Sequence, residues 1–169
     1  MKKIINFIVV IALVCFINVA NGQKKFGHIN SNDLLEKMPG RDSAKTKIEK
    51  YTKELQTQYK NMQTELETKY NDYVANEGKM TELIKKTRMD ELKTMQDRIE
   101  DFQKNAQEEM QKKEKELLEP IINKAKKAIE DVATENKYDY IFDSGIGFLL
   151  YSTPGDDILP LVKKKLGIK

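Results

Sequence analysis

Residues 48–73 read IEKYTKELQTQYKNMQTELETKYNDY, and the spacing of their apolar members decides the fold. Ile48, Tyr51, Leu55, Tyr59, Met62, Leu66, Tyr70 and Tyr73 step by 3, 4, 4, 3, 4, 4 and 3. Three steps of 3, 4 and 4 make an eleven-residue repeat. That period lies close to the natural winding of an α-helix, so the stripe stays on one face with little supercoil. The segment belongs to a longer stretch, Ser43 to Glu135, that is rich in Lys, Glu and Gln and has no proline before Pro120. A second stripe follows in Leu92, Met95, Ile99, Phe102, Ala106 and Met110, then Leu117, Ile121 and Ala125. Stripes this thin need another helix to cover them, so the stretch reads as a long helical hairpin.

Gly78 is the only glycine between Gly40 and Gly145 and offers itself as the turn. A turn there leaves arms of about 35 and 57 residues, roughly 52 and 86 Å. Arms that start and end in one body should match in length, and the stripe loses phase around Met80 to Met89. The expected turn therefore lies within Thr81 to Asp90, with arms of about 40 to 45 residues, on the order of 60 to 70 Å. Asp42 or Ser43 should cap the first arm. Glu65–Lys69, Glu100–Lys104, Glu108–Lys112 and Glu109–Lys113 have the spacing of helix ion pairs, each contributing about a few tenths of a kcal/mol. Pro120 should kink the second arm and mark its entry into a compact body, because a denser apolar face (Ile121, Ile122, Ala125, Ala128, Ile129, Val132) follows it.

Working outward, the first 22 residues have the anatomy of a signal peptide. Lys2 and Lys3 precede an apolar run from Ile4 to Val19, and Ala20-Asn21-Gly22 supplies small residues for cleavage. Cys15, inside the apolar run, lacks the setting of a lipidated cysteine. The expected mature chain starts at Gln23 and holds no cysteine, which excludes disulfides and thiolate metal sites. Loss of Lys2 and Lys3 leaves 28 basic against 27 acidic residues, a charge near +1. That balance gives no support to nucleic-acid binding.

Lys25 to Asn30 reads as a strand, with Phe26, His28 and Asn30 on one face and Gly27 and Ile29 on the other. Asn30 or Ser31 should cap a brief helix over residues 32–38, ended by Pro39-Gly40. After Asn136 the composition turns aromatic and β-branched. Tyr138–Asp143 and Phe148–Ser152 read as two strands around Ser144-Gly145-Ile146-Gly147. Asp156 or Asp157 should cap a final helix with Pro160 in its first turn, Lys163 to Lys165 in its last and Gly167 at its end. The whole is mainly α with a small three-stranded β body (α+β). The body spans 23–42 and 121–169, and the hairpin 43–120 has its tip at about 81–90. So small a body calls for oligomerisation.

No catalytic constellation emerges. His28 has no second histidine or cysteine to work with. Gly145-x-Gly147 lacks a third glycine and a following helix. Asp139, Asp143, Asp156 and Asp157 have no calcium-loop spacing and read as strand-end and cap residues. What remains is surface: methionines and aromatics along the hairpin, which either pack the arms together or face a space between subunits and suit partners of varied sequence.

Taken together, the chain resembles the Skp/OmpH family of periplasmic chaperones. The resemblance rests on Phe26-Gly-His-Ile-Asn-Ser-Asn-Asp-Leu-Leu-Glu-Lys-Met-Pro39, Tyr138-Asp-Tyr-Ile-Phe-Asp143, Leu150-Tyr151 and Asp157-Ile-Leu-Pro-Leu-Val-Lys-Lys-Lys-Leu-Gly167, in that order, behind a signal peptide and around a Lys/Glu/Gln hairpin. It implies a homotrimer whose helical tentacles enclose unfolded outer-membrane proteins in the periplasm without ATP, cofactor or catalytic residue. The client-contact candidates are then Tyr59, Met62, Tyr70, Tyr73, Met80, Met89, Met95 and Phe102. The candidates for the oligomeric body are Phe26, Ile29, Tyr140, Ile141, Phe142, Leu149, Leu150, Tyr151, Ile158 and Val162. The best-known members are strongly basic, so the near-neutral charge here weakens any contact with lipopolysaccharide or a membrane surface. Lys79, Lys85, Lys86 and Arg88 gather near the expected tip but are diluted by Glu82, Asp90 and Glu91. The competing reading is a coiled-coil spacer or adaptor of the cell envelope that binds one folded partner. A hydrolase is a poor third.

Overall fold

The computed structural model describes residues 24–168; the expected signal segment and Cys15 lie outside them. The elements, in order, are β1 (Phe26–Ile29), α1 (Ser31–Glu36), α2 (Arg41–Asn76), a 3-10 turn (Glu77–Lys79), α3 (Glu82–Glu135), β2 (Tyr140–Asp143), a second 3-10 turn (Pro154–Asp156) and α4 (Leu159–Leu166). They fall into two compact units. One is Met38–Lys124, and the other joins the chain up to Lys37 with Ala125 onward.

The Met38–Lys124 unit is an antiparallel hairpin of α2 and the first part of α3. The direction follows from which residues share a gap. Thr52 meets Met110, Tyr59 meets Phe102, Met62 meets Met95 and Tyr70 meets Met89, so advance along α2 is retreat along α3. The apolar stripes form the seam. Leu92 and Ile99 are buried, and Ile48, Tyr51, Leu55, Tyr59, Met62 and Leu66 are half-buried.

The turn is not where arm matching places it. Helix α2 ends at Asn76, the chain turns through Glu77–Lys79 and Met80, and residues 82–90 are already helical. Equal arms required the whole second helix to count as arm. Its last eleven residues, Ala125–Glu135, belong to the other unit, so the midpoint was shifted toward the C-terminus. Gly78 does lie in the turn. Nor does Asp42 or Ser43 cap α2. Gly40, at φ 91°, takes that position with no side-chain cap, and Asp42 sits in the first turn. Helix α3 continues through Pro120. Two of the four expected ion pairs are replaced: Lys112 turns to Glu109 at 3.5 Å and Lys113 to Glu116 at 3.0 Å, while Glu65–Lys69 and Glu100–Lys104 form no ion pair among the described residues. With several acids in reach, long exposed side chains settle on three-residue spacings as readily as on four.

The other unit is built on two parallel strands. Phe26 pairs with Tyr140, Gly27 with Ile141, His28 with Phe142 and Ile29 with Asp143. The alternation expected for β1 holds: Gly27 and Ile29 are buried while Phe26 is exposed. Glycine is required at 27 because a Cβ there would come within 2.9 Å of the Tyr138 ring, over which the Lys25 ammonium sits at 4.0 Å. The expected third strand, Phe148–Ser152, does not form. Phe148, Leu150 and Tyr151 are 86, 96 and 82% exposed. Tyr138–Asp143 finds its partner in β1 rather than across the Ser144–Gly147 turn, and 148–152 pairs with neither strand of that sheet. Asn30 caps α1, its Oδ1 accepting from the amides of Asn32 and Asp33 at 3.0 and 3.2 Å. Asp157 serves the start of α4, accepting from the Leu159 amide at 2.9 Å. Gly167, at φ 69°, closes it. The core is Ile29, Leu34, Ala125, Ala128, Val132, Ile158 and Val162. Complete burial of a side chain such as Leu34, Ile158 or Val162 contributes about 1.5–3 kcal/mol.

Candidate functional site

A thin apolar stripe on each of two helices closes a seam only where large residues meet. Between α2 and α3 it leaves gaps. A cavity of about 200 Å³ is lined by Thr52, Leu55, Tyr59, Phe102, Ala106 and Met110 with three glutamines. Thr52 Oγ1 reaches Met110 Sδ at 3.5 Å across it. A larger opening of about 900 Å³ continues from it toward the turn, sharing Tyr59 and Gln103, and takes in Leu66, Tyr70, Met89, Leu92 and Ile99. Met62 and Met95 line a third gap of about 90 Å³ with Glu65, Arg98 and Ile99.

The hairpin candidates thus separate. Tyr59, Tyr70, Met89 and Phe102 come together along one continuous trough. Met62 and Met95 form a pair in the third gap. Tyr73 and Met80 line none of these gaps. The Tyr73 hydroxyl donates to Glu77 Oε1 at 3.3 Å. Desolvation pushes its phenol up from the ordinary value, and the Glu77 charge and hydrogen bond push the same way.

Sequence reasoning missed two groups. Gln56, Gln63, Gln96, Gln103 and Gln107 flank the trough; their signal was the seven-residue spacing of 56 with 63 and of 96 with 103 beside the apolar stripe. Val74, Leu83 and Ile84 stand 54, 76 and 47% exposed beside the turn. Placing the turn within Thr81 to Asp90 hides that Leu83 and Ile84 lie in the first turn of α3.

In the other unit, Phe26, Tyr140 and Phe142 are half-exposed on one sheet face. Their ring centroids are 5.7, 6.1 and 6.5 Å apart. Leu150 and Tyr151 are open to solvent, and Ile141 and Leu149 are half-buried. Ile29, Ile158 and Val162 are buried within the chain and form its own core. His28 is engaged by the chain itself. Its Nε2 lies 3.2 Å from the Thr153 carbonyl, and its backbone carbonyl accepts from the Ile158 amide at 2.9 Å. It ties the segment before α4 to β1. The four aspartates serve the backbone or neighbouring side chains: Asp139 accepts from the Lys25 amide, Asp143 from Ser31 and Gly145, Asp156 from Thr153 and Asp157 from Leu159.

The family model for outer membrane proteins of the OmpH-like type matches residues 25–166. The "Chaperone protein Skp" of Photorhabdus laumondii subsp. laumondii and that of Photorhabdus luminescens are each 23% identical over 150 residues, spanning 87% of this chain and 88% of theirs. In fold, the chain is similar to a candidate outer membrane chaperone (OmpH-like) from Caulobacter crescentus CB15, known from a crystal structure. The TM-score is 0.71 at 12% identity, over 87% of this chain and 86% of that one. The match of the family model reaches from the strand before α1 to the end of α4, and the chain therefore belongs to the OmpH-like outer membrane protein family.

Proposed function

We propose that the protein is an ATP-independent holdase chaperone of the periplasm, exported by a cleaved signal at 1–22, that acts as a homotrimer and keeps unfolded outer-membrane proteins from aggregating. The observation that carries this reading is the open apolar trough of the hairpin, in a chain whose relatives are named chaperones. An apolar trough rimmed by neutral amides makes many weak contacts and few strong ones. Three hairpins raise the local concentration of such contacts around one client, so avidity replaces affinity and each contact still breaks fast. Phe26, Tyr140 and Phe142 with Leu150 and Tyr151 supply exposed apolar surface for assembly, where aromatic pairs add to area burial. The reading requires no cofactor and no catalytic residue.

The test is light scattering of a denaturant-diluted outer-membrane β-barrel. One assembled chaperone per client should suppress its aggregation. Unchanged scattering at several-fold excess would remove the reading.

A further inference from the structure

The trough is chemically unlike the rest of the chain. Charged residues make up 34% of the sequence. Of the nineteen residues lining its two connected parts, three are charged (Glu67, Lys93 and Glu100) and five are glutamines. Gln63 donates to the Tyr59 hydroxyl at 3.0 Å. The side chains of Gln56, Gln96, Gln103 and Gln107 hold no hydrogen bond to the described residues. Each therefore offers two donors and an acceptor beside an apolar floor.

That pattern discriminates between occupants. A bound helix satisfies its own backbone and gives free amides nothing to do. An extended segment presents an unpaired N–H and C=O at every residue, both of which a glutamine amide can meet. Its side chains alternate, so every second one points to the apolar floor. The low share of charge, three residues of the nineteen, fits a weakly charged segment and disfavours a strongly ionic one.

We propose that the trough between α2 and α3 holds an extended, weakly charged stretch of unfolded polypeptide with alternating apolar side chains, its backbone met by the glutamine amides. This rests on the chaperone reading and adds where a client lies and in what conformation. It gives the hairpin seam itself a binding role.

The experiment places a benzophenone side chain at Gln103, and separately at Glu108, which lines neither part of the trough. Each variant of the exported protein is mixed with a denaturant-diluted outer-membrane β-barrel, and scattering and crosslink yield are read on the same samples. The expected result is suppressed aggregation in both and several-fold more client crosslinking at Gln103, mapping to client segments of alternating apolar residues. Suppression with equal yields, or with crosslinks confined to helix-patterned segments, overturns the trough and leaves the chaperone reading. No suppression and no crosslinking overturns both. A second arm measures a neutral, alternating peptide by fluorescence anisotropy. Gln103→Glu with Gln107→Glu, both at exposed positions, should weaken it about tenfold. Unchanged affinity overturns the amide contacts.

Discussion

Ser31 donates its hydroxyl to Asp143 across 112 positions of sequence, Oγ to Oδ2 at 2.5 Å. The same carboxylate accepts from the Ser31 amide at 3.2 Å and the Gly145 amide at 2.8 Å. One side chain thus ties the start of α1 to the end of β2. Partial burial pushes the Asp143 carboxyl up, and the bonds from the Ser31 hydroxyl, the Gly145 amide and the Ser31 amide outweigh it, so the net direction is down. A depressed folded value means that the contribution is complete above the unfolded value and is lost as pH falls through the folded one. Asp143→Ala should cost about 2 kcal/mol at neutral pH. The gap between wild type and Asp143→Asn should close below about pH 4 in urea unfolding followed by circular dichroism. A gap independent of pH would contradict the assignment.

Gly145 and Gly78 should respond oppositely to alanine. A Cβ at 145 would fall 2.6 Å from Asn30 Oδ1 and 3.0 Å from Asn32 Nδ2. Asn30 cannot move away without releasing the cap of α1, so Gly145→Ala should cost about 1 kcal/mol. At Gly78 a Cβ meets nothing within 4 Å, and the backbone there needs no glycine. Gly78→Ala should stabilise by about 0.5 kcal/mol by restricting the unfolded chain. Thermal unfolding of both variants checks the contrast.

Lys137 holds φ 57° at the end of α3. There the Tyr138 amide bonds the Ala133 carbonyl at 2.9 Å and the Lys137 amide the Thr134 carbonyl at 3.2 Å. This left-handed closure suits glycine. Lys137→Gly should raise stability by about 1 kcal/mol, read as a higher urea midpoint.

Much of this architecture was legible because it is local. The stripe from Ile48 to Tyr73 needed only helical period, and the alternation around Gly27 and Ile29 only strand period. What stayed hidden depends on distant residues. Nothing near Tyr140 says that its partner is Phe26, reached only after the whole hairpin. Phe148 to Tyr151 has strand composition, and composition cannot show that it pairs with neither β1 nor β2. Ala125 to Glu135 reads as body from its denser apolar face, and Ala128 and Val132 are buried there, but matching arms across the whole helical stretch counts it as arm and displaces the turn. At the site, the aromatic and methionine stripe was visible, and the glutamines beside it passed as solvated surface.

The exposed rings of Phe26, Tyr140 and Phe142 carry the assembly expectation. Phe142→Glu leaves the buried core of Ile29, Leu34 and Ile158 untouched and places a charge where copies would meet. By light scattering, the variant should fall to the mass of one chain while far-ultraviolet circular dichroism is retained. An unchanged assembly mass would move the interface elsewhere.

The central claim is that an assembly of this chain carries an unfolded outer-membrane protein. Native mass spectrometry of the protein from Gln23 onward mixed with a denaturant-diluted β-barrel tests it most directly. The account predicts a species of three chains with one client. A spectrum in which the client never appears with the chain, at any ratio of the two, would contradict it.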